Sequence, residues 1–433
     1  MQNISKKYNN LFKFVLTAIL IFVPLFPKFP AFRIPGIYVA IRLEDFLIFG
    51  ALVVFLIPLL SNIKNFLTDK LSRSILLFIL VGFISLISGI YLTQTVAPTI
   101  GFLHWIRRVE YLSLFFIGYV YISHESRQSL FEYVVKVLLL VNFFIFLYGI
   151  GQHYLNFPVI ITQNEEYSKG IALRWIPGAH INSTFGGHYD LASYLVLTIP
   201  IFVTAFFVFK NKLSKFILAS SIASGFWLLS VAVSRISIVA FLIATTFSLF
   251  LMKKYKELLV FGLISVIAFG FSPDLRARYG RIYDVLKEKI TFVTVAYAQE
   301  KEVFEDRSSS IRFVVEWPRA LRAFYKNPIL GTGYSSISLA TDNDYLRALG
   351  ETGILGLMVF LFVLFNVFKS LINYKFTDNL ESAFTASILG SFVGILVTAV
   401  FIDIFEASKF ATIFWLILGL TIGQMNKINL STK

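Results

Sequence analysis

The chain alternates long apolar runs with short polar stretches along almost its whole length. A helix needs about 20 mostly apolar residues to cross a bilayer, so each run is a candidate membrane span. The first, second and fourth runs are short or contain proline, which leaves ten or eleven spans as an alternative to twelve. The twelve predicted spans are Leu11–Pro27, Asp45–Leu60, Leu71–Leu92, Val109–Ile122, Glu132–Gly151, Leu191–Phe209, Lys215–Val233, Ile236–Met252, Glu257–Phe271, Leu346–Phe368, Phe384–Ile402 and Lys409–Gly423.

The composition agrees with an all-α membrane protein. Of the 433 residues, 57% are hydrophobic and 15% are charged, against about 45–50% and 25% in soluble domains. The chain contains no cysteine, which excludes disulfides, thiolate catalysis, and cysteine-ligated zinc or iron–sulfur centres. With only five histidines, we expect neither a bound metal nor a cofactor, and nothing indicates a nucleic-acid partner.

The net charge of +14 is divided between the two sides of the predicted bundle. Lysines occupy the short loops, and the positive-inside rule places those loops and both termini in the cytoplasm. Two long hydrophilic stretches, 152–190 and 272–345, then lie outside. We therefore expect residues 1–433 to form one integral domain of a cytoplasmic membrane, surrounded by lipid, with its active site on the outer side.

Arginines concentrate in the second outer loop. Arginine grips phosphate through two parallel donors, whereas lysine is a point charge. The cluster therefore indicates a site for an anionic, membrane-borne substrate. The alternative is that long loops cross the membrane regardless of charge and that neighbouring acidic residues neutralise the arginines. The arginines are Arg276, Arg278, Arg281, Arg307, Arg312, Arg319 and Arg322, with Arg347 just after them.

The same loop carries two predicted amphipathic helices. Residues 280–297 show apolar positions at helical spacing. Pro318 suits the start of a second helix, in which Arg319 and Arg322 lie on a basic face, and Asn327-Pro328 ends it. The following Gly331-Thr-Gly333 is either a plain turn or a place where the backbone approaches a phosphate.

An acidic and basic row opens the next span. Asp342 or Asn343 can cap this helix, and Asp344, Arg347 and Glu351 share one of its faces. Ionisable residues at the mouth of a membrane helix are candidates for function. The alternative is a structural ladder of ion pairs.

Several isolated polar residues are further candidates for the functional site. Arg235, between two spans, either binds the substrate or reaches for lipid headgroups. His188, before the sixth span, is either a general base or a structural histidine. We expect Asp403 and Glu406 to solvate a helix end or to pair with Lys409.

These motifs together resemble the O-antigen ligase/polymerase superfamily. The resemblance covers most of the chain in the order of its spans and the placement of its loops. It is carried by Ser183-Thr-Phe-Gly186, Ser234-Arg235, Arg307, Ile311-Arg312, Glu316-Trp317-Pro318, Ala320, Asn327-Pro-Ile-Leu-Gly-Thr-Gly333, Asp342-Asn343, Tyr345-Leu346, Glu351, Gly353-Ile and Gly356.

The resemblance implies a GT-C-like glycosyltransferase. Members of the family transfer a glycan from an undecaprenyl-diphosphate carrier to a glycan or lipid acceptor on the outer face of the cytoplasmic membrane. The ligase branch has a His-Asn pair where this chain has Asp342-Asn343. This departure favours a Wzy-like polymerase, with O-antigen ligase as the alternative. Inversion at the transferred sugar is likewise implied by the family.

Glycosyl transfer would require specific roles of the candidate arginines and carboxylates. Arginines stabilise the diphosphate leaving group without a metal, and a carboxylate takes the proton of the acceptor hydroxyl. Asp342 or Asp344 is the expected base, followed by Glu351 or His188. The expected substrate-binding residues are Arg235, Arg307, Arg312, Arg319, Arg322, Asn343, Tyr345 and Arg347. A flippase or transporter is the rival class, although the sequence shows no internal repeat.

Overall fold

The computed structural model describes residues 2–27, 30–33, 40–121, 127–158, 181–232, 234–271, 311–337 and 341–431. This part of the chain is nearly all helical, as predicted. Its one sheet is a two-stranded antiparallel hairpin, β1 (Pro30–Arg33) and β2 (Ala40–Arg42). The predicted helix at 280–297 and residue Arg307 lie outside the described residues.

The helices are α1 (Gln2–Leu25), α2 (Leu43–Val54), α3 (Leu56–Ser61), α4 (Ile63–Thr68), α5 (Lys70–Tyr91), α6 (Pro98–Val120), α7 (Arg127–Tyr154), α8 (His188–Val208), α9 (Lys212–Ala232), α10 (Arg235–Leu251), α11 (Tyr255–Phe271), α12 (Trp317–Lys326), α13 (Asp344–Ile372), α14 (Leu380–Thr398) and α15 (Ser408–Ser431). A π-helical turn, Arg312–Glu316, precedes α12, and a 3₁₀ turn, Ile404–Glu406, precedes α15.

Within the described residues, seven helices are long and apolar enough to cross a membrane: α5, α7, α8, α9, α13, α14 and α15. Two shorter apolar helices, Asn9–Leu25 and α10, accompany them. The prediction of a helical membrane protein is therefore confirmed. The count of twelve spans stays a prediction.

The centre of the bundle is formed by helices that are apolar on every face. Helices α8, α14 and α15 are buried along most of their length. A helix without a polar face must be surrounded by protein or lipid, and these three are surrounded by other helices of the chain. By contrast, α5 and α9 expose many apolar side chains, such as Leu80 and Phe216, as expected for lipid-facing helices.

Two Gly-xxx-Gly pairs let helix backbones touch. A Cβ atom on Gly394 of α14 would lie 2.5 Å from the Ala240 carbonyl oxygen of α10. One on Gly419 of α15 would lie 2.0 Å from the Phe115 oxygen of α6. Each glycine has a partner four residues away, Gly390 and Gly423, on the same face. Small residues at this spacing are typical of close helix pairs in membranes.

The predicted second span, Asp45–Leu60, is wrong as one continuous helix. The structure divides this region into α2, α3 and α4, with breaks at Phe55 and Asn62. Pro58 has no N–H to donate to the carbonyl of Val54, where α2 ends, and its ring crowds that carbonyl.

The predicted fourth span, Val109–Ile122, begins too late. Helix α6 begins at Pro98, which occupies its first turn. Hydropathy failed here because Arg107, Arg108 and Glu110 interrupt the apolar run in the middle of the helix. Arg107 pairs with Asp45 at 3.4 Å, so the helix continues through charges that its neighbours neutralise.

Helix α13 is kinked at Gly353, whose φ of 68° and ψ of −171° are not helical. The kink frees the carbonyls of Gly350 and Glu351, and they accept hydrogen bonds from the N–H groups of Thr332 (3.1 Å) and Gly333 (2.8 Å). The Gly331-Thr-Gly333 segment is therefore a turn that holds the broken helix, since its amides are used inside the protein. The residues before the kink, Asp344–Thr352, form a short separate arm.

Helix contacts define two ends of the bundle. Lys254 pairs with Asp378 at 3.0 Å, which brings the α10–α11 and α13–α14 loops to one end. Helix α13 begins at the other end, where the Asp344 N–H donates to the Ala399 carbonyl just beyond α14. We call this second end the site end.

Candidate functional site

Arg312 and Asp342 form the centre of the site. The Arg312 Nε and Nη2 atoms donate to one Asp342 oxygen, at 3.0 and 2.7 Å. Arg312 is buried, and Asp342 adopts a left-handed backbone conformation with a φ of 49°. Charge-assisted bonds of this kind are strong and fix the plane of the guanidinium. In the described part of the chain, no bond is formed by the Nη1 edge of Arg312, so this edge can still donate to an anion.

Arg312 faces inward because of the π-helical turn. The Trp317 N–H donates to the Arg312 carbonyl, five residues back, instead of four as in an α-helix. Single π turns often occur at functional sites. Ile311, Val314 and Val315 are exposed on the outer face of this segment while Arg312 is buried, which is the polarity of a surface that contacts lipid.

The start of α8 reaches the same place. The Tyr189 hydroxyl accepts a hydrogen bond from Arg312 Nη2 at 3.3 Å, and the Arg312 guanidinium lies 5.8 Å from the centre of the Tyr189 ring. His188 packs on Tyr189, with ring centres 4.0 Å apart. The sequence candidates His188, Arg312 and Asp342 are therefore neighbours in the fold, and Tyr189 was missed.

Asp403 holds the loop that presents Asp342. Its two oxygens accept the N–H groups of Thr341 (2.7 Å) and Asn343 (2.9 Å), the residues on either side of Asp342. It also accepts a hydrogen bond from Arg347 Nη1 at 2.7 Å. The Asn343 side chain caps α13 by accepting the Leu346 N–H at 2.9 Å.

The predicted row of Asp344, Arg347 and Glu351 is present, but its partners differ from those expected. Asp344 accepts the backbone N–H groups of Ile404 and Phe405, at 2.8 and 3.3 Å. Arg347 Nε lies 3.5 Å from Glu351, and the main partner of Arg347 is Asp403. Arg347 is thus a positioning residue that ties α13 to the turn before α15.

A cavity of about 50 Å³ adjoins this network. Aromatic side chains, including Phe360, Phe405 and Trp415, line one part of it. The polar part has the carboxylates of Asp344, Glu351 and Glu406 against the guanidinium groups of Arg108 and Arg347. With more carboxylates than guanidinium groups, these walls do not favour an anionic diphosphate.

Asp403 and Glu406 were expected to solvate a helix end or to pair with Lys409, and Asp403 does accept an N–H at the start of α13. Asp403 pairs with Arg347 and Glu406 pairs with Arg108, whereas Lys409 donates to the carbonyl oxygens of Pro24 (3.0 Å) and Thr184 (2.6 Å). These pairs join α6, α13 and α15, which are remote in sequence. In the sequence, the one sign of these pairs was that Arg108, Arg347, Asp403 and Glu406 are ionisable residues within or beside apolar runs.

Three further candidate arginines, Arg235, Arg319 and Arg322, lie on α10 and α12. Arg235 is the first residue of α10. Since α10 runs antiparallel to α14, with Ala244 beside Gly390 and Ala240 beside Gly394, Arg235 lies at the site end. Arg319 is half-buried and Arg322 is exposed, both on α12.

Tyr345 does not face the site. Its hydroxyl donates to the Leu396 carbonyl at 2.9 Å, and its ring packs near Phe360. This residue links α13 to α14, so its position supports a structural role.

Burial sets the proton affinities of two carboxyl groups beside Arg312. Burial and the Asp342 carboxylate raise the pKa of Glu316, Arg312 opposes both effects, and the resulting pKa is about 7. The pKa of Asp342 is also raised by burial, although the Arg312 guanidinium lowers it. Glu316 is therefore a group that titrates near neutrality beside the buried Arg312.

The family comparison concerns this same segment. Residues 219–361 match the family model described as O-antigen ligase. The match confirms the resemblance to the O-antigen ligase/polymerase superfamily. It runs from α9 into α13 and so includes Arg235, Arg312, Asp342 and Glu351. No curated protein matches the sequence. The O-antigen ligase match points to a glycan-transferring membrane protein of the O-antigen ligase or polymerase kind, without separating polymerase from ligase.

Proposed function

We propose that this protein is a membrane glycosyltransferase that polymerises undecaprenyl-diphosphate-linked glycan on the outer face of the cytoplasmic membrane. The observation that carries the proposal is the buried Arg312, fixed by Asp342 and Tyr189, with one guanidinium edge that no other described residue uses. It lies within the segment that matches the O-antigen ligase family.

Arg312 would bind the diphosphate of the donor. A preorganised guanidinium stabilises the charge that develops on the leaving oxygen, and it needs no reorganisation during the reaction. Arg235 and Arg319, at the same end of the bundle, would complete the binding site, with Arg322 and Arg307 as further donors. The reaction then needs no metal, and a single displacement inverts the anomeric centre.

The outer loops would close over this site. In the proposal, the chain is one membrane domain, and residues 152–190 and 272–345 lie outside the membrane and exclude water during transfer. His188 and Asp342 come from these two loops, and the structure brings them together through Tyr189 and Arg312. Both termini would lie in the cytoplasm.

Asp342 bears on the choice between polymerase and ligase. A ligase of this family would have histidine at this position, whereas here a carboxylate is paired with Arg312. We therefore favour the polymerase. A ligase that passes the finished glycan to a lipid or protein acceptor is the second candidate, favoured by the description of the matching family.

Purified protein and a labelled carrier-linked repeat unit test the proposal. We expect chain elongation in the presence of a metal chelator. Arg312→Ala should reduce kcat/KM by roughly 10²–10³-fold, because a preorganised donor to the leaving group is lost. The matched control is Arg73→Ala, an exposed arginine near the start of α5, which should leave the rate unchanged.

Cells that lack the gene decide between the candidates. Accumulation of carrier-linked single repeats supports the polymerase, and accumulation of full-length carrier-linked chains supports the ligase. Normal elongation by the Arg312→Ala protein would overturn the diphosphate site. Movement of the carrier across vesicles without any glycan transfer would overturn the proposal as a whole.

A further inference from the structure

Most carboxylates at the site end already have strong partners. Each of four carboxylates accepts hydrogen bonds from a guanidinium, from backbone amides or from both. The oxygens that accept these bonds already have donors, so they are less available to take a proton from a substrate. These four are Asp342 (from Arg312), Asp344 (from two amides), Glu351 (from the Ser335 amide) and Asp403 (from two amides and Arg347).

Glu316 is different. Its Oε2 atom is buried, and among the described residues no donor reaches it. A buried polar atom without a hydrogen bond is costly, so it marks a place where a ligand can bind. Glu316 is the last residue of the π-helical turn that also begins with Arg312.

Charged groups from four segments of the chain act on the Glu316 carboxyl. They are Arg312 on the same turn, Arg319 on α12, and Asp342 and Asp403 on the two loops at the site end. The Asp342 and Asp403 carboxylates favour its protonated form, and the two guanidinium groups favour its ionised form. The Arg319 Nη1 atom is also buried, and it donates no hydrogen bond to any described residue.

We propose that Glu316 is the general base that deprotonates the acceptor hydroxyl. This inference rests on the proposed glycosyl transfer and names a residue that the sequence argument passed over in favour of Asp342 and Asp344. The geometry behind it is the π-helical turn, which carries a diphosphate-binding arginine and an unbonded carboxyl oxygen on one short segment.

The step balances as a single displacement. Glu316 Oε2 takes the proton of the acceptor hydroxyl while the hydroxyl oxygen forms a bond to the anomeric carbon. The bond between that carbon and the diphosphate oxygen breaks, and its electron pair stays on the diphosphate, which Arg312 stabilises. The proton on Glu316 passes to water when the products leave. Asp342 then has the separate role of orienting Arg312.

The titration of Glu316 suits this role. Its pKa of about 7 leaves a substantial fraction ionised at neutral pH, and a base with a pKa near the working pH is the most effective. Since the ionised form is active, the rate should rise with pH through about 7 and level off above it.

The decisive experiment is the pH dependence of elongation by the full-length purified protein. Glu316→Gln should lower kcat by roughly 10²–10⁴-fold and abolish the rise near neutral pH. Glu316→Asp keeps a carboxyl group and should keep a pH-dependent rise with reduced kcat. The matched control is Glu132→Gln, a partly exposed glutamate paired with Lys136 on α7, which should keep the wild-type profile.

Asp342→Asn separates this inference from its rival. If Glu316 is the base, Asp342→Asn weakens binding of the glycan donor and raises KM. The rate should still rise with pH near neutrality. The inference is overturned if Asp342→Asn loses this rise with pH while Glu316→Gln keeps it. A Glu316→Gln protein that keeps the wild-type kcat also overturns it, while the Arg312 site and the proposed function stand. If wild-type protein transfers no glycan, the proposed function fails instead.

Discussion

At the scale of single residues, Asp403 connects the loop that carries Asp342 to helix α13. It binds the amides on both sides of Asp342 and the guanidinium of Arg347, and it is 8% exposed. Removing one member of a buried ion pair leaves the other charge uncompensated. The position of Asp342, and through it the orientation of Arg312, therefore depends on Asp403.

We expect Asp403→Ala to destabilise the protein by about 3–5 kcal/mol, because Arg347 and two backbone amides lose their acceptor. Thermal unfolding in detergent measures this effect. The matched control is Asp378→Ala, whose side chain is 75% exposed in its pair with Lys254 and should change the midpoint little. Equal midpoints for the two variants would contradict the assigned role of Asp403.

At the scale of elements, the kink in α13 is the feature that shapes the site. The arm Asp344–Thr352 carries Arg347 and Glu351, and the turn at Gly331-Thr-Gly333 binds the carbonyls that the kink frees. A straight helix would keep those carbonyls in its own ladder and would leave the turn amides without acceptors. The direction of the arm is thus set jointly by Gly353 and by the turn that packs on it.

Gly353→Ala tests the kink. At a φ of 68° a Cβ atom would lie 2.3 Å from the Ile329 carbonyl oxygen. We expect a loss of at least ~1–3 kcal/mol in unfolding free energy from the strained backbone, with further loss from the clash. In Gly50→Ala, on α2, nothing lies within 4 Å of the added methyl, so this variant should be neutral or slightly stabilising. A stable Gly353→Ala protein would show that the kink is not required.

At the scale of the whole molecule, the site end collects residues from across the chain. Helices α6, α8, α10, α12 and α13 and the turn before α15 all contribute side chains there. The opposite end holds the loops joined by Lys254 and Asp378. If the lysine-rich loops are cytoplasmic, then the whole site faces outward.

The cysteine-free sequence makes this arrangement testable. Arg322→Cys, exposed on α12, should react with a membrane-impermeant maleimide in intact cells. Lys212→Cys, exposed at the start of α9, should react only after the membrane is opened. The same accessibility for both positions, or the reverse, would contradict the predicted orientation and with it the outward-facing site.

The sequence by itself predicts the fold class and many of the helices. An apolar run of about 20 residues has few stable conformations in a bilayer other than a helix, because every backbone polar group must be satisfied internally. The prediction is wrong where local chemistry competes with hydropathy. Pro58 divides the second run, and the charges at Arg107 and Arg108 hide the true start of α6.

The sequence also identifies Arg312 and Asp342 as candidates, but only the tertiary structure decides how they are used. Their pairing joins residues 30 positions apart, and the pairs of Arg347 with Asp403 and of Arg108 with Glu406 join residues still farther apart. Residue type shows that a group can carry charge. Its partner, its burial and hence its proton affinity depend on which helices pack together, and the local pattern does not contain that information. The unbonded carboxyl oxygen of Glu316 is visible only once its neighbours are in place.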